Sequence, residues 1–292
     1  MGSTLLTAET VLPLLKKRKE DSHKGDYGRA LLVCGSERYR GAASLSAEGA
    51  LRCGAGIVCL ASVDEVLRAA AARLPEVIFL PLPENGMGGI SSHGTGLILE
   101  EAEHATAILC GCGLTNGEDT LVLTENLILN AACPLVLDAD ALNAIAEKPC
   151  VLSCANVTPT VTPHPGEMAR LTGKSVKDIL ADPRGTAMAF SEKYDCVTVL
   201  KTHRTVVASP DGSLYENTTG NPGLARGGSG DILAGMITGF LAQGLKPTDA
   251  ARLAVFLHGL AADRTAEKES ETGMIPSDIF PALRSIFREY GR

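Results

Sequence analysis

A doubly wound α/β fold, in which a mainly parallel sheet carries helices on both faces, is predicted by three features of this sequence. Short runs, apolar and bounded by Gly, Pro or Asp, alternate with stretches of helical periodicity along the first half of the chain. Past Pro159 a turn sequence, Pro210-Asp211-Gly212, separates two further strand-like runs and adds an antiparallel element near residues 205–216. The 292 residues show no internal repeat, low-complexity segment or long linker, so a single domain spanning residues 1–292 is expected.

Taken in order, strands are expected at Ala30–Cys34, Ile57–Ala61, Val77–Leu80, Ala107–Cys110 and Leu135–Asp138, with helices at Ala42–Cys53, Asp64–Arg73, Asp119–Ala132 and Ala141–Glu147. Parallel neighbours joined this way require right-handed crossovers. Helices are next expected at Pro165–Leu171 and Val176–Lys193, followed by strands at Val197–Leu200, Thr205–Ser209 and Leu214–Glu216. Three helical runs, Gly230–Gln243, Pro247–Glu267 and Pro276–Tyr290, close the chain.

Composition excludes several classes. A net charge of −7 and 4% aromatic residues without tryptophan argue against nucleic acid as a partner, which needs a basic surface and stacking platforms. No apolar run approaches the roughly 20 residues of a membrane span, and Lys16, Lys17, Arg18 and Lys19 follow the apolar part of the N-terminal segment, the reverse of a secretory signal. A cytoplasmic protein with nine reduced cysteines is expected, since neither Cys110-Gly-Cys112 nor Cys150-x3-Cys154 has zinc-site spacing.

The most informative stretch is Asn217–Phe240, NTTGNPGLARGGSGDILAGMITGF, with five glycines from Gly220 to Gly230 and Asp231 directly after them. Ile232, Leu233, Met236, Ile237, Phe240 and Leu241 recur at helical spacing, so a buried helix starts near Ser229, with Gly235 and Gly239 leaving a smooth side for packing. The first N–H groups of a helix lack intrahelical partners, and Gly227-Gly228-Ser229-Gly230 could cradle a phosphate there. Asp231 could simply complement the helix dipole. Beside an anion cradle it could instead take the proton from a hydroxyl that attacks a phosphoryl group.

No GxxxxGK(S/T) loop exists, and Gly111-Cys-Gly113-Leu-Thr-Asn-Gly117 is one residue too long for GxGxxG, which disfavours P-loop enzymes and Rossmann dehydrogenases. Polar clusters at expected strand ends fit a ligand site: Asp138-Ala-Asp140-Ala-Leu-Asn143, Thr162-Pro-His164-Pro-Gly-Glu167, Lys201–Thr205 and Asn217–Asn221. Each has a structural alternative: Asp140 as a helix N-cap, His164 as a loop hydrogen-bond partner, Lys201 as a solvated strand end.

Together, GSERYRGAASLSAEGALRCGAG from Gly35, LDADALN from Leu137, TPHPGEMARL from Thr162 and NTTGNPGLARGGSGDILAGMITG from Asn217 closely resemble the ADP/ATP-dependent NAD(P)H-hydrate dehydratases, a branch of the ribokinase-like superfamily. The similarity runs from about Gly25 to Arg264. It implies a three-layer α/β/α fold and a repair lyase that returns the S-epimer of hydrated NADH or NADPH to the intact cofactor. ADP, giving AMP and phosphate, or ATP would be the phosphoryl donor, with Mg2+ arriving with it and no dedicated metal motif in the chain.

By the same resemblance, Asp231 would be the catalytic base. Ala42, Gly113, His164 and Asp231 would contact the hydrated dinucleotide. The donor would meet Lys201, Thr202, His203, Arg204, Thr205 and Gly230, with Lys201 and Arg204 offsetting phosphate charge. Asn143, Asn217, Gly228 and Ser229 would line the site. A homotetramer is implied, and because little chain precedes Ala30, the epimerase domain fused in many relatives is expected to be a separate partner on the same substrate. Ser229 stands in place of a common threonine and keeps the hydroxyl, whereas Thr202 and Arg226 depart from the smaller residues usual there and leave the donor preference open. The residues alone also allow a ribokinase-like kinase of a vitamin precursor or sugar, or a non-catalytic nucleotide-binding module.

Overall fold

The computed structural model describes Gly2–Tyr290. Ten strands form one sheet: β1 (Thr4–Leu6), β2 (Arg29–Val33), β3 (Ile57–Ser62), β4 (Ile78–Pro81), β5 (Ala107–Cys110), β6 (Leu135–Leu137), β7 (Thr160–Val161), β8 (Val197–Leu200), β9 (Val206–Ala208) and β10 (Leu214–Asn217). Their order is β1-β10-β9-β8-β7-β6-β5-β2-β3-β4. Only β9 runs against the rest, pairing antiparallel with both β8 and β10. The expected parallel sheet with an added antiparallel element is therefore present, and β5 returning beside β2 creates the switch in strand order where such sheets hold ligands.

Burial explains the continuous apolar strands: every residue of β5, β6 and β8 is buried, because helices cover both faces. Ser229–Ala242 packs against Arg40–Arg52 and on β2, β5 and β6; Pro247–Glu269 packs on β8, β9 and β10. From the other side Pro183–Tyr194 also meets β8 and β9. Small residues bring the first helix pair close. A Cβ on Gly49 would sit 2.7 Å from the Ile232 carbonyl oxygen, and one on Gly239 would sit 2.7 Å from that of Ala50.

Some expectations need correction. The helix predicted over Val176–Lys193 is two, Val176–Ala181 and Pro183–Tyr194. Pro183 pushes Asp182 out of helical geometry, to φ −141°, and the Asp182 carboxylate then caps the second helix by accepting from Gly185 N–H at 2.9 Å. The run from Pro276 opens with a 3-10 turn, Pro276–Asp278, before the α-helix Ile279–Tyr290. β1, β7 and the helix Thr95–Ala102 had no counterpart in the sequence reading. Two- and three-residue strands are too short for a period to register. Among the described residues, no helix is long and apolar enough to cross a membrane.

Candidate active site

Successive strand ends deliver the polar groups. Asp138 follows β6, Thr162 follows β7 and Lys201 follows β8, and all three meet: Thr162 Oγ1 donates to Asp138 Oδ1 at 2.7 Å, and Lys201 Nζ to the same oxygen at 2.6 Å. Backbone geometry at Asp138 is unusual. Ala139 has φ 49° and ψ −113°, and a Cβ on Gly111, whose φ is 132°, would collide with the Asp138 carbonyl oxygen. Only glycine at 111 lets the chain after β5 pass this close. Such strain is held where the surroundings over-determine it.

Asp231 lies in the first turn of Ser229–Ala242, after Gly228 at φ 101°. A left-handed entry suits glycine and leaves the helix without a side-chain cap. Among the described residues, the N–H groups of Gly230 and Asp231 have no protein acceptor, and the buried Ser229 Oγ has no partner. An anion can therefore be met by free donors at the positive end of a buried helix. Burial and the charge of Asp138 push the Asp231 carboxyl up to about 6.

His164 caps the helix Pro165–Thr172: its Nδ1 accepts from Gly166 N–H at 2.9 Å and Glu167 N–H at 3.4 Å. That assigns the ring proton to Nε2, which lies 3.3 Å from Glu167 Oε1. Burial, then the Lys201 and Arg170 charges, lower the His164 pKa and keep the ring neutral. Glu167 is buried 3.9 Å from Lys201 Nζ, and burial lifts its carboxyl to about 7.

Other residues singled out from sequence are placed as follows. Ala42 and Gly113 adjoin, a Cβ on Gly113 falling 2.9 Å from that of Ala42. Gly230 opens toward Lys201 Nζ and Asp138, so Lys201 stands at the centre instead of at the outer end of the donor loop. Thr202 Oγ1 donates to the Arg204 carbonyl and Thr205 Oγ1 to that of Thr202, which folds this loop on itself, with His203 exposed. Arg204 turns to the buried Glu216 at 3.2 Å, a carboxylate it shares with Arg184. Asn143 Oδ1 accepts from Arg170 at 2.8 Å, and Asn217 is buried with its amide donating to the Thr219 carbonyl at 2.9 Å. Asp140 is no N-cap; its carboxylate accepts from Thr115 N–H at 2.9 Å, with Ala139 in the cap position.

Sequence reasoning missed four participants. The sequence motifs that contain Asp138 and Glu167 assign neither a role of its own. Cys112 looked like a small core residue, and it does pack as one, but its Sγ lies 3.6 Å from Asp138 Oδ2. His258 is buried, with Nε2 unpartnered and its pKa lowered to about 4 by that burial. A histidine inside the apolar run Leu253–Leu260 was the available signal.

Cys112, Asp138 and Asp231 each place a ligand atom within 4.8 Å of the others. This set does not fit Mg2+, which takes hard oxygen ligands. A hydrogen bond with Cys34 and burial hold the Cys112 thiol well above its ordinary pKa, and Lys201 already neutralises Asp138.

The sequence profile of the NAD(P)H-hydrate dehydratases matches residues 30–285. A bifunctional NAD(P)H-hydrate repair enzyme Nnr of Moorella thermoacetica is 40% identical over 284 residues, covering 97% of this chain and 54% of that protein. The chain thus spans about half the length of the bifunctional relatives it matches. An ADP-dependent (S)-NAD(P)H-hydrate dehydratase of Xanthomonas campestris is 38% identical over 267 residues, covering 90% of this chain and 89% of that protein. In three dimensions, the ADP/ATP-dependent NAD(P)H-hydrate dehydratase of Bacillus subtilis, co-crystallised with ATP/Mg2+, superposes with a TM-score of 0.84 at 32% identity over 99% of both chains. By profile, sequence and superposition, the chain belongs to the NAD(P)H-hydrate dehydratase family.

Proposed function

We propose that this chain repairs hydrated NADH and NADPH, dehydrating the S-epimer with ADP, released as AMP and phosphate, or with ATP as phosphoryl donor. The observation that carries the reading is the buried Asp231 carboxyl beside the free N–H groups of Gly230 and Asp231 at the start of Ser229–Ala242. Asp231 takes the proton of the ring hydroxyl as its oxygen attacks the terminal phosphorus of the donor; the bond from that phosphorus to the nucleotide breaks. The helix N–H groups hold the phosphoryl oxygens as charge develops. Phosphate then departs with the electron pair of its bond to the ring carbon, driven by the ring nitrogen lone pair. Loss of a proton from the adjacent carbon restores the double bond.

His164, a neutral Nε2–H donor, is suited to an acceptor on the dinucleotide, in the manner of an imidazole kept neutral at a helix start. Lys201, from the donor loop, supplies positive charge beside Gly230. Mg2+ belongs to this proposal as an ion carried on the donor phosphates. So do a homotetrameric assembly, a cytoplasmic setting and an epimerase acting on the same substrate.

The test is incubation with hydrated NADH plus ADP or ATP, following the absorbance of the restored dihydronicotinamide. A stable phosphorylated product with no NADH regenerated would establish a small-molecule kinase instead.

A further inference from the structure

Far from Asp231, the helices Arg40–Arg52 and Ser229–Ala242 both end at a cavity of about 470 Å³, roughly 20 Å from the site by the rise of a 14-residue helix. Its volume lies within the range of small-molecule sites. Leu14, Leu15, Leu51, Leu253, Phe240 and Phe287 give it an apolar lining. Lys16, Lys17, Arg18 and Arg52 also line it, and among the described residues no acidic one does. For a chain of net charge −7, four cations without an acid around one apolar cavity is a local reversal of sign.

Basic residues beside helix C-termini are ordinary complements of the helix dipole, and two of the four are explained in that way or by pairing. Arg18 donates to the Gly54 carbonyl at 2.6 Å and lies over the Tyr27 ring, while Arg52 pairs with Glu48 at 3.2 Å. Lys16 and Lys17 are exposed and, among the described residues, bond neither to these carbonyls nor to a carboxylate. The lining offers little to read a nucleobase: the Gln243 amide is already committed to the Cys53 and Gly239 carbonyls. Leucine side chains with two phenylalanines suit an aliphatic chain, and two uncommitted ammonium groups suit an anion at its end.

We propose that this cavity binds one free, single-chain aliphatic anion, a fatty acid or its alkyl phosphate analogue, with the chain among the leucines and the anion at Lys16 and Lys17. The site is separate from the dehydratase centre and does not depend on that activity.

The test is titration calorimetry of the purified full chain with octanoate, decanoate, dodecanoate and dodecyl phosphate below their micellar concentrations. One ligand per chain is expected, with affinity rising about fourfold per added methylene until the cavity is filled. The double variant Lys16→Glu/Lys17→Glu should weaken binding at least about tenfold while leaving turnover of hydrated NADH unchanged. Leu51→Arg, measured beside a thermal melt, should abolish binding in protein that still melts cooperatively. Affinity independent of chain length, or untouched by the charge reversal, overturns the proposal. Association with anionic phospholipid vesicles without binding of monomeric alkanoate also overturns it, and assigns the cations to a membrane surface.

Discussion

The Lys201 ammonium stands 2.6 Å from the Asp138 carboxylate, joining the ends of β8 and β6 across the end of β7. Lys201 therefore arrives at the candidate centre already partnered, and the Asp138 charge is felt by Asp231, whose carboxyl it helps to hold above the ordinary range. This relationship sets the conditions under which the base can work.

A first expectation concerns pH. Asp231 must be ionised to accept a proton, and its pKa is about 6. The rate at low substrate should rise with pH through a midpoint near 6 and level off above it. A pH–rate profile of kcat/KM checks this, and a midpoint near 4 would remove the influence of burial and Asp138.

Replacing the base separates activity from stability. Asp231→Asn should lower turnover by about 10²–10⁴-fold. The folded pKa lies above the unfolded value, so the native state binds the extra proton and loses stability as pH rises from about 4 through about 6. The variant lacks that cost, and at pH 7 it should gain up to about 2–3 kcal/mol, read as a higher Tm. An inactive variant that melts lower would contradict the reading.

Gly230→Ala probes the cradle. Its added Cβ would stand 3.4 Å from Lys201 Nζ, an ordinary contact, and alanine favours the helix by up to about 1 kcal/mol. Turnover should fall at least about tenfold because the methyl occupies space needed by the phosphoryl group. Denaturant titration beside kinetics distinguishes this from misfolding.

His164→Asn tests the division of labour within one imidazole. Asparagine is a good N-cap, so stability should stay within about 0.5 kcal/mol. Loss of the Nε2–H donor should raise KM for the hydrated dinucleotide about tenfold, the worth of one hydrogen bond, with KM for the nucleotide little changed.

Much of this was legible because the physics is local. The helix carrying Asp231 announces itself through Ile232, Leu233, Met236, Ile237 and Phe240, and the structure starts it at Ser229, one residue from expectation. Val197–Leu200 reads with its observed limits because a short run rich in β-branched residues stops at Lys201. What escaped depends on partners distant in sequence. Asp138 gains significance from Lys201, 63 residues away. Arg204, given to the donor by resemblance, has a partner that the loop does not announce, Glu216 across the β9–β10 hairpin. Thr160–Val161 makes a strand only because β6 and β8 flank it. His164 reads as a structural or a ligand-contacting residue; its Nδ1 serves the first role, and Nε2, 3.3 Å from Glu167 Oε1 on a half-exposed ring, is the atom proposed for the second.

The three residues of β1 have a consequence out of proportion to their number. Thr4–Leu6 pair along β10 and stand between it and solvent at one margin of the sheet. A chain shortened past Leu6 would uncover the outward backbone groups of Tyr215–Asn217, a template on which a second molecule could add its own strand. The edge that β10 would otherwise present is thus closed by a tripeptide that takes no part in the proposed chemistry.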